Sequence, residues 1–272
     1  MVPVIRLVAT DLDGTLLQPD GTVSPRTLEV LDAVDALGVL VVFVTGRPIR
    51  WMESLWQHVG DHGLAICSNG GVLYDVPGRA VLEARTIDPE VGLAVAERIR
   101  HAVPGSTFAL EKTTGFSQEP AFPVHPDDRA GGEANAFRVQ VAPLEEALDT
   151  DVVKLLALHQ EHAPLDYWQR VERAADGAVT TTWSSTNALV EMSGAGVTKA
   201  STLARLCAER GLDASEVVAF GDMPNDVDML RWAGSSYAME NGHAHTRAAA
   251  QHVAPGNDED GVAQVLERLL LS

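Results

Sequence analysis

The chain has 272 residues, 46% of them hydrophobic, and a formal net charge of −18 from 38 acidic against 20 basic side chains. This length holds one large or two medium domains with a sizeable core. The acidic balance lacks the clustered Lys and Arg that nucleic acid or an anionic membrane requires, so no nucleic-acid or membrane partner is expected. Cys67 and Cys207 lie far apart in the sequence and form no metal-ligand spacing, which reads as two buried thiols in a reducing compartment. No run is apolar for long enough to span a bilayer, and the N-terminal apolar run is too short for a signal peptide, so a cytoplasmic protein is expected.

Val4 to Ala9 is apolar on both faces and predicts a buried parallel strand. It delivers Asp11 and Asp13 into a turn at Gly14, whose backbone freedom permits a sharp exit. Carboxylates there stand at the C-terminal edge of a strand, where open α/β sheets take their ligands. Two acids so close repel each other unless a cation or a shared proton intervenes. Ser24-Pro25 is a helix cap with proline at the first helical position. Leu28, Leu31, Val34 and Leu37 mark one face of that helix, and Gly38 ends it. Val39 to Val44 is a second strand, and Thr45-Gly46-Arg47-Pro48 turns into a helix that stops near Gly60. Leu64 to Ser68 is a third strand, ending at Asn69-Gly70-Gly71. Such alternation implies βαβ units and a parallel sheet.

The pattern changes in the middle of the chain. Helices are expected at Pro89–Val103 and Leu165–Ala175, and strands at Val152–Leu158, Val179–Trp183 and Ala188–Met192. Polar loops run through Thr113–Pro126 and Asp127–Asn135. The last third resumes the first rhythm, with a helix at Thr198–Arg210, a strand at Val217–Phe220, a helix at Pro224–Trp232, a short strand at Tyr237-Ala238 and a closing helix at Val262–Leu271. The fold class expected is α/β: a Rossmann-like parallel-sheet core over residues 1–80 and 193–272, interrupted by an inserted α+β domain over 81–192.

Three further patches follow the strand-to-loop logic of Asp11 and Asp13. Thr45-Gly46-Arg47 offers a hydroxyl and backbone N–H groups at the same sheet edge, an anion site that also serves as an ordinary cap. Gly221-Asp222-Met223-Pro224-Asn225-Asp226 brings two carboxylates and an amide to a sheet edge, where capping alone is the alternative. Lys199, one of three lysines, opens a helix whose dipole opposes it unless an anion lies nearby. Together they describe one device. A hard divalent cation such as Mg²⁺ takes carboxylates from two loops plus a substrate phosphate. Lys199, Thr45 and backbone amides hold the remaining phosphate oxygens. One aspartate attacks phosphorus in line, forming an aspartyl-phosphate, while the second protonates the leaving oxygen and later deprotonates water. The histidine pairs His58/His62 and His243/His245 are not expected to bind a transition metal. Arg47 and Asn69 lie at the edge of this site as candidate leaving-group contacts, with capping and packing as the alternatives. Trp183, on an expected strand of the inserted domain, is a candidate substrate contact.

Asp11-Leu12-Asp13-Gly14-Thr15, Thr45-Gly46-Arg47, Lys199 and Gly221-Asp222-Met223-Pro224-Asn225-Asp226 resemble, in order, the four motifs of the haloacid dehalogenase-like hydrolases. The similarity is to the Cof-type sugar-phosphatase-like branch, with Ser68-Asn69-Gly70-Gly71 and Gly196-Val197-Thr198-Lys199 as flanking matches. The resemblance implies Asp11 as nucleophile and metal ligand. Asp13 becomes the general acid/base, with its backbone carbonyl on the metal, and Asp222 completes the Mg²⁺ site. Leu12, Thr45, Gly46, Lys199 and Asn225 would bind the phosphoryl group, and Asp226 would support the metal or Lys199 from behind. The second acid at Asp13 favours phosphoryl chemistry over dehalogenation. The inserted domain resembles the larger, type-two cap, which selects the leaving group. The substrate class is a small phosphorylated metabolite, a sugar phosphate or a cofactor phosphate. A phosphomutase or phosphotransferase using the same site, and a non-catalytic phosphometabolite binder, are the alternatives.

Overall fold

The structure is a computed structural model, and it describes residues 4–52, 55–56, 63–123, 138–183 and 187–271. Contacts divide the chain into two compact units. The first comprises residues 1–47, 52–83 and 198–272, and the second residues 48–51 and 84–197. The expected boundaries at 80/81 and 192/193 lie a few residues inside these divisions. Strand pairing is the reason, since a strand at Ala80–Ala84 joins the first sheet and one at Leu189–Gly194 joins the second.

The first unit holds an eight-stranded sheet. Its strands are β1 (Leu7–Thr10), β2 (Leu40–Val44), β3 (Gly63–Cys67), β4 (Val72–Asp75) and β5 (Ala80–Ala84), then β12 (Val217–Gly221), β13 (Ser235–Met239) and β14 (His252–Ala254). The spatial order is β14-β13-β12-β1-β2-β3-β4-β5. Neighbours from β14 through β3 run parallel, and β4 returns antiparallel on β3. Residues 72–84 carried no strand expectation, because Asp75, Pro77, Gly78, Arg79 and Glu83 interrupt the apolar runs of a short edge pair. Val4 is 73% exposed and precedes β1, so the buried strand is shorter than its apolar run.

The helices of the first unit are α1 (Pro25–Ala36) and, after the insertion, α5 (Lys199–Glu209), α6 (Val227–Trp232), α7 (Ala244–Ala249) and α8 (Gly261–Leu266). Alternation along the buried strands splits them between the two faces. Leu7, Ala9, Val42, Val44, Val217 and Ala219 pack with Leu203, Leu206 and Cys207 of α5 and Met229 and Leu230 of α6. Val8, Val41 and Phe43 are equally buried and point the other way, with α1 packed on β2 and α8 packed on α1. Ser24 caps α1 by accepting from Thr27 N, with Pro25 in the first turn as expected. Gly38, at φ +77°, ends it. Leu37 is exposed; the buried face is Thr27, Val30, Leu31 and Val34, because the helix is over by Leu37 and the chain turns there. Both cysteines are free and buried.

The second unit is a six-stranded sheet in the order β10-β11-β9-β6-β7-β8. Its strands are β6 (Thr107–Lys112), β7 (Gly115–Gln118), β8 (Arg138–Val141), β9 (Val152–Leu158), β10 (Val179–Thr182) and β11 (Leu189–Gly194). All neighbours are antiparallel except β7 and β8. Helices α2 (Pro89–Ala102) and α4 (Pro164–Ala175), with a short α3 (Leu144–Ala147), cover one face over Phe108, Leu110, Leu155, Val190 and Met192. The other face is mixed. Ala109, Phe116 and Leu156 cluster there, and Lys154 meets Glu191 at 3.1 Å. β9, β10, β11 and the two long helices stand where the sequence puts them. β7 falls inside the expected polar loop from Thr113, and β6 and β8 carried no strand expectation. Much of the expected loop at Thr113–Asn135, the helix leading to Gly60, and the pair His58 and His62 lie outside the described residues. Among the described residues no helix is long and apolar enough to cross a membrane.

Candidate active site

The sheet order explains how distant segments meet. β1 lies between β12 and β2, all three parallel and in register, with Thr10 opposite both Phe220 and Phe43. Their C-terminal ends therefore release Asp11, Asp222 and Thr45 side by side. Asp11 N donates to Phe220 O at 3.0 Å, which ties the loop entrance to β12. The chain then turns through Leu12–Leu16 with Gly14 at φ +71°. A side chain at Gly14 would begin 2.3 Å from Asp222 Oδ2, so glycine serves both the turn and the approach of the two loops. Thr15 Oγ1 donates to Asp222 Oδ1 at 3.2 Å, and Asn241 Nδ2 donates to Gly14 O at 2.8 Å.

Lys199 is the first residue of α5. Thr198 caps that helix, with Ser201 completing a reciprocal capping box. The Lys199 side chain is 1% exposed and its Nζ donates to Asp11 Oδ1 and to Asp226 Oδ1, each at 2.7 Å. Asp226 is fully engaged, because its Oδ2 accepts from the amides of Asp222 and Met223 at 3.1 and 3.0 Å. The carboxylate oxygens of Asp11, Asp222 and Asp226 lie within 4.8 Å of one another. The anion that a first-turn lysine needs is thus supplied by the protein itself.

The electrostatics follow from burial. Burial is the largest influence on Asp11 and pushes its carboxyl well above the ordinary value; Lys199 draws it down, and Asp226, Asp222 and Asp13 raise it again. Burial and then Asp226 lift Asp222 to about 6, against Lys199 and hydrogen bonds from Thr15 and Asp11. Burial disfavours the Lys199 ammonium, but the Asp11 and Asp226 carboxylates outweigh it and hold Lys199 above its usual value. The lysine therefore stays charged, while Asp11 and Asp222 are both shifted toward the protonated form. An oxygen-only donor set with excess negative charge suits a hard divalent cation. Asp11 and Asp222 are the members with capacity for it, since both Asp226 oxygens are taken.

A family model described as haloacid dehalogenase-like hydrolase matches residues 8–266. The chain belongs to the haloacid dehalogenase-like hydrolases. A pyridoxal phosphate phosphatase of Escherichia coli K12, YbhA, is 30% identical over 96% of this chain and 97% of its own length. A 5-amino-6-(5-phospho-D-ribitylamino)uracil phosphatase of the same organism, YbjI, is 26% identical over 98% of this chain and 96% of its own. The solved structure of a Streptococcus mutans UA159 protein superposes with a TM-score of 0.84 at 22% identity, covering 98% of this chain and all of that one, which shows the shared fold. The chain is accordingly an enzyme, a phosphatase of this hydrolase family.

All the family-motif residues fall in the first unit. Leu12 is buried, and its carbonyl accepts from Leu17 N at 2.8 Å. Thr45 is buried, and its Oγ1 accepts from Arg47 N at 3.0 Å, the capping contact that was one of its two readings. Gly46 lies against Asn69, where a side chain would begin 3.1 Å from Asn69 Oδ1. Asn225 Nδ2 donates to that same Oδ1 at 3.1 Å. The Asp13 carboxylate turns away from the cluster and is gripped by Arg47, with Nε to Oδ2 at 2.7 Å and Nη2 to Oδ1 at 2.5 Å. Trp183 follows β10 in the second unit and is half-buried. His243 caps α7, its Nδ1 accepting from His245 N at 3.2 Å. Sequence reasoning missed the Arg47–Asp13 fork, the Thr15 contact and Asn241. Thr15 stood inside the first motif and was given no role; Asn241, in the turn after β13, carries no local signal.

Replacing Lys199 with methionine keeps the length of the side chain and removes its charge. Lys199→Met is expected to lower the unfolding free energy by about 3–5 kcal/mol in metal-free buffer, because two buried carboxylates lose their partner. Urea denaturation near neutral pH measures it; an unchanged midpoint would contradict the central role of this cation.

Proposed function

We propose that the chain is a Mg²⁺-dependent phosphomonoester hydrolase that acts on a small phosphorylated metabolite through an aspartyl-phosphate on Asp11. The observation that carries this reading is the buried set of Asp11, Asp222 and Lys199 at adjoining strand ends, with a second acid, Asp13, two residues from the first. Asp11, the Asp13 backbone carbonyl and Asp222 would hold the Mg²⁺, which supplies charge neutralisation at the phosphoryl oxygens. Lys199 holds Asp11 by one oxygen and fixes its direction. Thr45, Gly46, Leu12 and Asn225 supply hydrogen-bond donors for the phosphoryl group, and Asp226 keeps Lys199 in place from behind.

The reaction then needs two proton transfers, both at Asp13. The Asp11 carboxylate forms a bond to phosphorus as the phosphorus–oxygen bond to the leaving group breaks, and Asp13 gives its proton to that oxygen. Water next attacks phosphorus while Asp13 takes its proton, releasing inorganic phosphate and restoring the Asp11 carboxylate. Arg47 must let go of Asp13 for either transfer. The second unit is read as the cap that selects the leaving group, with Trp183 its candidate contact. Pyridoxal phosphate is the first substrate to test, because the relative named for it is 30% identical over nearly the whole chain. A cytoplasmic setting fits such a metabolite.

Asp11→Asn is expected to reduce hydrolysis of p-nitrophenyl phosphate with Mg²⁺ to background, and Asp13→Asn to lower kcat by roughly 10²- to 10⁴-fold. Full activity in Asp11→Asn would remove the nucleophile. Release of phosphate in step with the alcohol separates hydrolysis from transfer to a second sugar. The pH dependence has a defined sign. Asp222 is raised from 3.8 to about 6 in the folded chain, so its contribution to stability is present at low pH and lost as pH rises through about 6; Asp11 is raised as well and acts in the same sense. Mg²⁺ competes with those protons. It is therefore expected to raise Tm by several degrees near pH 7.5 and markedly less near pH 5. An equal rise at both would contradict the carboxylate site.

A further inference from the structure

The Ser68–Gly70 turn meets Thr45, Gly46, Arg47, Asn225 and Thr198 and has no role in the reaction set out above. Ser68 and Asn69 both adopt left-handed backbone, with φ of 52° and 55°. Side chains other than those of glycine, asparagine and aspartate rarely tolerate that region. The turn is held there by neighbours, Ser68 N donating to Arg47 O at 2.9 Å and Asn69 N to Thr45 O at 3.0 Å. A side chain on Gly70 would begin 2.3 Å from Thr198 O, the cap of the Lys199 helix. The strained turn thereby presses the buried Asn69 amide against Gly46 and Asn225.

One atom in this arrangement is out of place. Asn225 Nδ2 donates to Asn69 Oδ1, which leaves Asn225 Oδ1 buried with no hydrogen-bond partner. A phosphate monoester dianion offers only acceptors, so an Asn225 that presents its oxygen would repel it. Turning both amides through about 180° exchanges oxygen and nitrogen with almost no change of shape. Asn69 Nδ2 then donates to Asn225 Oδ1, the orphaned acceptor is satisfied, and Asn225 Nδ2 becomes available as a donor.

We propose that Asn69 is a positioning residue of the phosphoryl site: its side-chain amide donates to Asn225 Oδ1 and so turns the Asn225 N–H donor to the phosphate. This rests on the reading of Asn225 as a phosphoryl contact. Asn69 acts through Asn225, so the two side chains form one unit. The test is a double-mutant cycle on the inhibition constant of inorganic phosphate against p-nitrophenyl phosphate, with Mg²⁺ present. Glycine adopts the left-handed turn freely, so Asn69→Gly is expected to keep the wild-type Tm within a few degrees. Asn69→Gly and Asn225→Ala are each expected to weaken phosphate binding by about ten- to a hundredfold. The double variant is expected to bind no worse than Asn225→Ala alone. The proposal fails if Asn69→Gly binds phosphate as the wild type does. It also fails if Asn69→Gly weakens the Asn225→Ala protein by the same factor as the wild type, or if Asn69→Asp, which accepts but cannot donate, binds normally. A wild-type chain that neither binds phosphate nor hydrolyses the ester would overturn the phosphatase reading, and this inference with it.

Discussion

A single buried ammonium holds the chemistry of this protein together. Lys199 Nζ sits 2.7 Å from both Asp11 and Asp226, and all three side chains are nearly or wholly removed from solvent. Burial of one unpaired carboxylate is strongly unfavourable, and burial of three around one lysine remains electrostatically overdrawn. That imbalance is local and deliberate in its placement, because the surrounding sheet is a dry, close-packed layer of Val, Ala, Leu and Ile. A site poised in this way is suited to a divalent cation, which would bind in exchange for protons.

Overall charge acts against an anionic substrate, since the chain carries a net −18. The conflict is resolved by distance. Surface charges are screened beyond about 8–10 Å in cellular salt, whereas contacts inside the site act at hydrogen-bond range in a low dielectric. Arg47 adds a second local cation at the entrance, forked to the Asp13 carboxylate, whose side chain is 56% exposed. The buried acid is thus handled by a buried lysine and the exposed acid by a partly buried arginine. Two carboxylates two residues apart are given different environments.

Much of this was legible in the sequence because strand ends and glycine turns are local signals. The run into Asp11, the turn at Gly14, the cap at Ser24 and the stop at Gly38 each follow from a few adjacent residues. The four motifs named the family before any contact was known, and the order of parallel strands brought them together. The rest depended on partners that sequence spacing does not encode. Lys199 was read as a phosphate ligand with Asp226 as one of its possible supports; its bond to Asp11 was not read, because only the fold brings residues 11, 199 and 226 together. Asn241 reaches the loop at Gly14 from the turn after β13, two strands away from β1. Strands β4, β5, β7 and β8 are four or five residues long, where pairing and not hydrophobic period decides the structure. Leu37 failed for the opposite reason: its spacing continued the helical face one turn beyond the helix.

The account depends most directly on Asp11 as the atom donor to phosphorus. Acid quenching during turnover of a phosphate ester, followed by borohydride reduction, converts an acyl phosphate to the corresponding alcohol. Mass spectrometry of the resulting peptides is expected to find that modification at residue 11 alone, dependent on both substrate and Mg²⁺. Turnover with an unmodified Asp11, or with the modification at Asp13, Asp222 or Asp226, would contradict it.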